Sequence, residues 1–185
     1  MASIAESSTS SNFRAKSNAV SLLLGTILLK SIVTALAELF AAISELLCGK
    51  IAIPNVTAAS AEYLSDIFIQ FREVLLSVRD SVSVFQNSAP FTPKRLEIIR
   101  AVSNAFLSLG VKPENLVTVS NMFNNYVLSF VADEYRFKNT TGDRFVEFVE
   151  KLSLQDQLIF AISQDFEGQF LYGLQLLFEG LEQVK

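Results

Sequence analysis

Histidine and tryptophan are absent from this 185-residue chain, and it has one cysteine, Cys48. Without histidine there is no Ser/His or Cys/His nucleophilic pair, and the usual zinc, copper and haem ligand sets cannot be assembled within one chain. One cysteine excludes an internal disulfide framework and fits a reducing compartment, so a cytoplasmic setting is expected. Charge is scarce as well. Asp, Glu, Lys and Arg make up 18% of the residues, below the usual quarter, and the formal net charge is −4. Such a balance is ill suited to wrapping a phosphate backbone. There is no Gly-rich phosphate loop and no acidic loop spaced for Mg²⁺ or Ca²⁺, so no cofactor and no metal are expected. The carboxylate pairs Asp133/Glu134 and Glu147/Glu150 read as solvated charge, and Cys48 as a structural thiol. Asn55-Val-Thr57 and Asn139-Thr-Thr141 match glycosylation acceptors, but so short a pattern arises by chance. Catalytic residues are expected to be none.

What is present is apolar. Half the residues are hydrophobic, with 16 phenylalanines, at the top of the globular range. Excess apolar surface points to an obligate interface, a lined cavity or membrane contact. A chain of this length can bury roughly 70% of its unfolded surface, which suits one large domain with or without an appendage.

Strand patterns are missing, and the periodicity predicts an all-α domain. Residues 1–18 are polar and serine-rich and read as a disordered leader. Residues 19–57 read as a long, mostly buried helix from about Val20 to Leu47, closed by Gly49, followed by a Pro54 connector. Lys30, Glu38 and Glu45 interrupt every window long enough to cross a bilayer, so stable membrane insertion is not expected. Arg14 and Lys16 with Ala35-Leu36-Ala37 could instead form a signal peptide, but Lys30 and the serine-rich leader argue against it. Residues 58–185 form the main domain. Thr57 reads as a cap for a helix from about Ala58 to Val78, with Leu64, Ile67, Phe68, Phe71, Leu75 and Val78 on one face and Arg72 largely opposite. A short segment covers Ser81–Asn87. Thr92-Pro93 starts the next helix and Gly110 stops it. Lys112-Pro113-Glu114 opens another, reaching about Phe137. A loop (Lys138–Asp143), a helix over Leu154–Ser163, and a last helix capped by Asp165 complete the chain.

Two helices carry apolar residues suggestive of burial against a second subunit. From Asn115 to Ala132 no residue is charged, and apolar side chains lie on more than one face. On the last helix Phe166, Phe170, Leu174, Leu177 and Leu181 form one stripe that holds Gly173. Glycine costs roughly 1 kcal/mol in a helix interior, and a bare spot of this kind lets another backbone approach closely. The expected dimer interface is Phe123, Tyr126, Val127, Phe130, Phe166, Phe170, Gly173, Leu174, Leu177 and Leu181.

The segments Phe71–Asp80, Pro90–Gly110 and Lys112-Pro-Glu-Asn-Leu116 through Val131, with the closing Phe166–Leu181 pattern, together resemble the C-terminal domain of the tetracycline-repressor family. The resemblance covers about residues 58–185. It implies a helical bundle that dimerises through a four-helix bundle, a small-molecule effector site, and ligand-controlled repression through an N-terminal DNA-binding unit. It also implies a pocket lined by Ile67, Phe71, Phe85, Ser88, Val102, Val117, Ser120 and Asn121, suited to an apolar ligand with one or two hydrogen-bonding groups. Where tetracycline-binding members hold a Mg²⁺–drug complex with histidines and an asparagine, the matching positions here are Gly25, Ile67 and Phe85, and only Phe71 is retained. A Mg²⁺–tetracycline effector is therefore not expected. Upstream, Leu23–Leu29 stands where the family's recognition helix ends and carries no phosphate-contacting cation. Autonomous DNA binding by this chain is accordingly not expected. Two alternatives stand beside the effector-binding homodimer: a dimerisation partner that titrates full-length relatives, and a membrane-associated helical protein that inserts Ala19–Ala37.

Overall fold

A computed structural model describes the backbone at residues 3–54, 60–141, 147–153 and 165–183, and side chains at 25–54, 60–139, 147–153 and 165–183. Every regular element described is helical. In chain order these are α1 (Ser3–Cys48), α2 (Ala61–Leu76), α3 (Ser81–Asn87) and α4 (Pro93–Ser108), then α5 (Leu116–Arg136) and α6 (Phe166–Gln183). A 3₁₀ turn, Pro113–Asn115, leads into α5, and a π-helical turn, Phe137–Thr141, extends its end. The expected helix over 154–163 and the Thr57 cap fall outside the described residues.

Helix α1 departs from expectation in length and in surroundings. Its helix runs back to Ser3, through residues set apart as a leader, because neither proline nor glycine occurs before Gly25. The expected burial is corrected too. Residues 25–39 are exposed, including Ile27, Leu28, Leu29, Ile32, Val33, Leu36 and Leu39, and among the described side chains of α1 only Ser44, Leu47 and Cys48 are buried. The helix projects beyond the bundle because α3 and α4 pack against its C-terminal end, where those buried residues lie.

The start of α2 is capped by Ser60, whose Oγ accepts from the Tyr63 amide at 3.3 Å. Helix α4 begins at Thr92-Pro93 as expected, but the Thr92 hydroxyl makes no capping bond and has no partner. Glu45 of α1 caps the helix instead, accepting the Lys94 amide at 2.9 and 3.1 Å. A carboxylate there also complements the positive end of the helix dipole. At the far end of α4, the Gly110 amide donates to Leu107 O and the Val111 amide to Phe106 O, both 3.0 Å. That is a Schellman close, and it requires Gly110 at φ 93°. Val111 and Phe106 are both buried, the apolar contact that accompanies the motif.

The core lies between α2, α4, α5 and α6. Phe68 stacks on Phe123 (centroids 5.3 Å apart), and Phe106 and Phe178 tilt against the same ring at 5.0 and 4.8 Å. Beside this cluster sits a pair that the sequence pattern misplaces. Glu134, expected to be solvated, is 1% exposed, and Arg72, assigned to the polar face of α2, is 8% exposed. Arg72 Nε and Nη2 donate to the two Glu134 carboxylate oxygens, each at 2.9 Å. Lys138 donates to the same carboxylate at 2.6 Å, and the Arg72 guanidinium lies over the Phe170 ring, 5.1 Å from its centre. One residue of α2 thus joins α5 and α6.

Candidate ligand cavity and interface helices

A cavity of about 430 Å³ opens between α2, α4 and α5, bordered by the end of α1 and by α3. That is within the size range of small-molecule sites. Helix α2 contributes Ile67 and Phe71, α3 Phe85, α4 Val102, and α5 Val117, Ser120 and Asn121. These are the expected pocket residues apart from Ser88, which lies behind the wall and accepts from Arg95 through its Oγ at 2.7 Å. The Phe71 and Phe85 rings tilt together, centroids 4.8 Å apart, and close one side. The other lining residues include Cys48, Ile98, Ile99, Ser103 and Asn124, so the wall is mainly apolar with a few polar groups.

The principal residue that sequence reasoning missed is Arg95. It lines the cavity from the first turn of α4, half-buried, with its guanidinium 3.7 Å from the centre of the Phe85 ring. Its Nη1 donates to Phe85 O and Ser88 O, both at 3.2 Å, to Ser88 Oγ, and to Ser44 Oγ at 3.4 Å. Burial lowers its pKa from the ordinary arginine value. A signal was available: Lys94 and Arg95 sit in the first turn of a helix, where cations oppose the dipole, so they need another reason to be there. Cys48, across from it, is a buried thiol whose pKa is pushed up chiefly by burial and moderated by Arg95. On α5 the Ser120 hydroxyl is buried without a hydrogen-bond partner.

The residues expected at a dimer interface are distributed differently. Phe123, Val127, Phe170, Leu174 and Leu181 are buried within a single chain, and Tyr126, Phe130, Phe166, Gly173 and Leu177 are partly covered. Most of this stripe packs α5 and α6 against each other and the core: Phe130 meets Phe170 edge-on at 5.3 Å, and Tyr126 stacks on Phe170 at 5.5 Å. The five buried residues are already covered within the single chain. Gly173 is explained from inside the chain as well. A Cβ there would collide with the Tyr126 ring and hydroxyl, which donates to Phe170 O at 2.9 Å. What α5 and α6 leave exposed is a different set: Val117, Met122, Leu171, Tyr172 and Leu176.

The described residues form an all-α bundle with a ligand-sized, mainly apolar cavity between its central helices. Residues 61–185 match the family described as tetracyclin repressor-like, C-terminal domain, and the chain belongs to that family. Among solved structures it is similar to the Streptomyces coelicolor TetR family protein ActR in complex with actinorhodin, with a TM-score of 0.67 and 17% identity, covering 80% of this chain and 76% of that one. A possible TetR family transcriptional regulator from Streptomyces coelicolor gives a TM-score of 0.65 at 18% identity, covering 81% and 77%. Mycobacterium smegmatis BioQ gives 0.60 at 22% identity, covering 78% and 72%. At these identities the likeness speaks for the fold. No curated protein matches the chain.

Proposed function

We propose that this chain is a homodimeric effector-binding domain of a transcriptional regulator, sensing a small, mostly apolar molecule in the cytoplasm, with no catalytic residue. The observation that carries this reading is the cavity of about 430 Å³ walled by Ile67, Phe71, Phe85 and Val102. Helix α5 supports a route for the signal. It gives Val117, Ser120 and Asn121 to the cavity, while its exposed Met122, with Tyr172 and Leu176 of α6, offers the second subunit an apolar surface. A ligand that favours one placement of α5 then favours one crossing of the dimer helices. Autonomous DNA binding is not part of the proposal, because residues 3–48 form one unbroken helix without the turn a helix-turn-helix requires.

The test is thermal unfolding of the full chain with a panel of apolar compounds, alongside light scattering. Binding at about 100 times Kd stabilises by about 2.7 kcal/mol, which raises the melting temperature by several degrees. Filling the cavity with Val102→Trp should abolish that rise while leaving the dimer intact. A chain that stays monomeric at high concentration and responds to no compound refutes the proposal.

The projecting part of α1 favours a second reading. Gly25–Cys48 is, among the described residues, a helix long and apolar enough to cross a membrane. At 1.5 Å per residue its 24 residues span about 36 Å. In this reading α1 enters a bilayer and the domain reports ligand at a membrane surface. Co-sedimentation with liposomes, lost when Leu28, Ile32 and Leu36 are changed to serine, supports it; a chain that remains in the supernatant excludes it.

A further inference from the structure

The polar groups of the cavity carry information about the charge of its occupant. Arg95 and Arg72 make the comparison within one molecule. Arg72 presents Nε and Nη2 as a two-pronged edge to Glu134, satisfying both carboxylate oxygens. Arg95 is held in place through its Nη1 alone, by Phe85 O, Ser88 and Ser44. Among the described residues, the edge formed by its Nε and Nη2 bonds to nothing, and no carboxylate lies within ion-pair distance of it. None of the residues lining the cavity is acidic. A half-buried guanidinium on an apolar wall, anchored at one corner and open along the edge that matches a carboxylate, is arranged to receive an anion. On the α5 side, the buried Ser120 hydroxyl lacks a partner, and Asn121 and Asn124 line the same cavity. A buried polar group of this kind is costly unless something in the site bonds to it.

We propose that the effector is an organic acid: an apolar body against Phe71, Phe85 and Val102, its carboxylate on the open edge of Arg95, and a second polar atom within reach of Ser120. This rests on the effector-binding reading above and narrows it to a chemical class. It also gives the signal a second path, because the first turn of α4, which bears Arg95, is gripped by Ser44 and Glu45 of α1. A carboxylate on the open edge acts on the same guanidinium whose Nη1 meets Ser44 of α1.

Isothermal titration calorimetry on the full chain tests this, using 2-naphthoate and octanoate, each beside its neutral amide. The acids should bind wild type roughly 10- to 100-fold more tightly than the amides, the range expected for charge-assisted hydrogen bonds. Arg95→Gln should close that gap, Arg95→Lys should restore part of it, and Ser120→Ala should leave it in place. Amides that bind wild type as well as the acids overturn the acid assignment and leave the cavity a neutral-ligand site. Failure of all four compounds to bind overturns the cavity reading with it. Should Arg95→Gln fail to fold, the acid–amide comparison on wild type still separates an acid site from a neutral one.

Discussion

Replacing Arg72 with alanine is the most informative perturbation of the fold, because it isolates one charge inside the bundle. Glu134 is 1% exposed and takes both prongs of Arg72 at 2.9 Å. After the substitution its remaining cationic partner is Lys138, at 2.6 Å, whose side chain is 54% exposed. Breaking a buried pair by removing one member costs about 3–5 kcal/mol, since the other charge stays behind without compensation. Loss of the guanidinium from the faces of Phe170 and Phe130 adds to this, by about 0.5–2 kcal/mol. Lys138 offsets part of it, so the net expectation is about 3–4 kcal/mol. With total stability of about 5–15 kcal/mol, that is a large share. A urea slope of about 2 kcal/mol per M turns it into a midpoint roughly 1.5–2 M lower. The same reasoning makes a sharper statement about the double variant Arg72→Met, Glu134→Leu. Removing both charges and keeping the volume apolar should recover most of the loss. Urea unfolding followed by circular dichroism measures all three proteins. A single variant within about 0.5 kcal/mol of wild type, or a double variant no better than the single, refutes the idea that desolvation of Glu134 dominates here.

Gly173→Ala should destabilise by about 1–3 kcal/mol despite alanine's better helix propensity, because its Cβ meets the Tyr126 ring and hydroxyl. Combining it with Tyr126→Leu should relieve the clash, giving a non-additive double-mutant cycle in chemical unfolding. Gly110→Ala forces a side chain onto a backbone at φ 93°, and a cost of about 1–2 kcal/mol is expected in the same assay. Burial raises the Cys48 pKa, so its thiolate forms at higher pH than in the unfolded chain. Labelling with a thiol-reactive chromophore should therefore be slow at neutral pH, and its rate should climb only at a pH above that of a urea-unfolded control. An equal rate in both states counts against the buried position. Glu45→Gln removes the carboxylate charge facing the start of α4 and should cost about 0.5–1 kcal/mol, read from the thermal midpoint at low salt.

Local chemistry explains which parts of this structure are legible in the sequence. Thr92-Pro93, Gly110 and Lys112-Pro113 mark helix ends because proline and glycine act within one turn, and the structure breaks its helices there. The cavity wall was legible through the family resemblance, which brings Ile67, Phe85, Val102 and Val117 together across about fifty positions of sequence. Partner identity is a different matter. The Phe166–Leu181 stripe announces that something covers it, but periodicity is the same whether the cover is a twin subunit or α5 of the same chain. Arg72 and Glu134 are separated by 62 positions, and their pairing leaves no mark in either helix's own pattern. Helix α1 fails for the opposite reason. Apolar residues on every face are the signature of full burial and of full exposure to an apolar medium alike.

The exposure of α1 and the placement of Arg95 bear on each other through α4. The first turn of α4 is held by α1 twice, by Glu45 at the Lys94 amide and by Ser44 at Arg95 Nη1. Further along, the same helix presents Val102 to the cavity, and its end packs Phe106 into the aromatic cluster with Phe123 of α5. Under the effector-binding proposal, a ligand that shifts α4 shifts both neighbours through these contacts. Moving its first turn changes the angle at which α1 leaves the bundle, and tilting its C-terminal half loads α5 through the Phe106–Phe123 contact. A projecting helix multiplies such an angle by its length: from Ser44 back to Gly25 the helix spans about 28 Å, so a rotation of about 5° at Ser44 displaces the exposed end by roughly 2.5 Å. The exposed Ile27, Leu28 and Ile32 therefore sit at the far end of a lever whose near end, at Ser44, meets the arginine that lines the cavity.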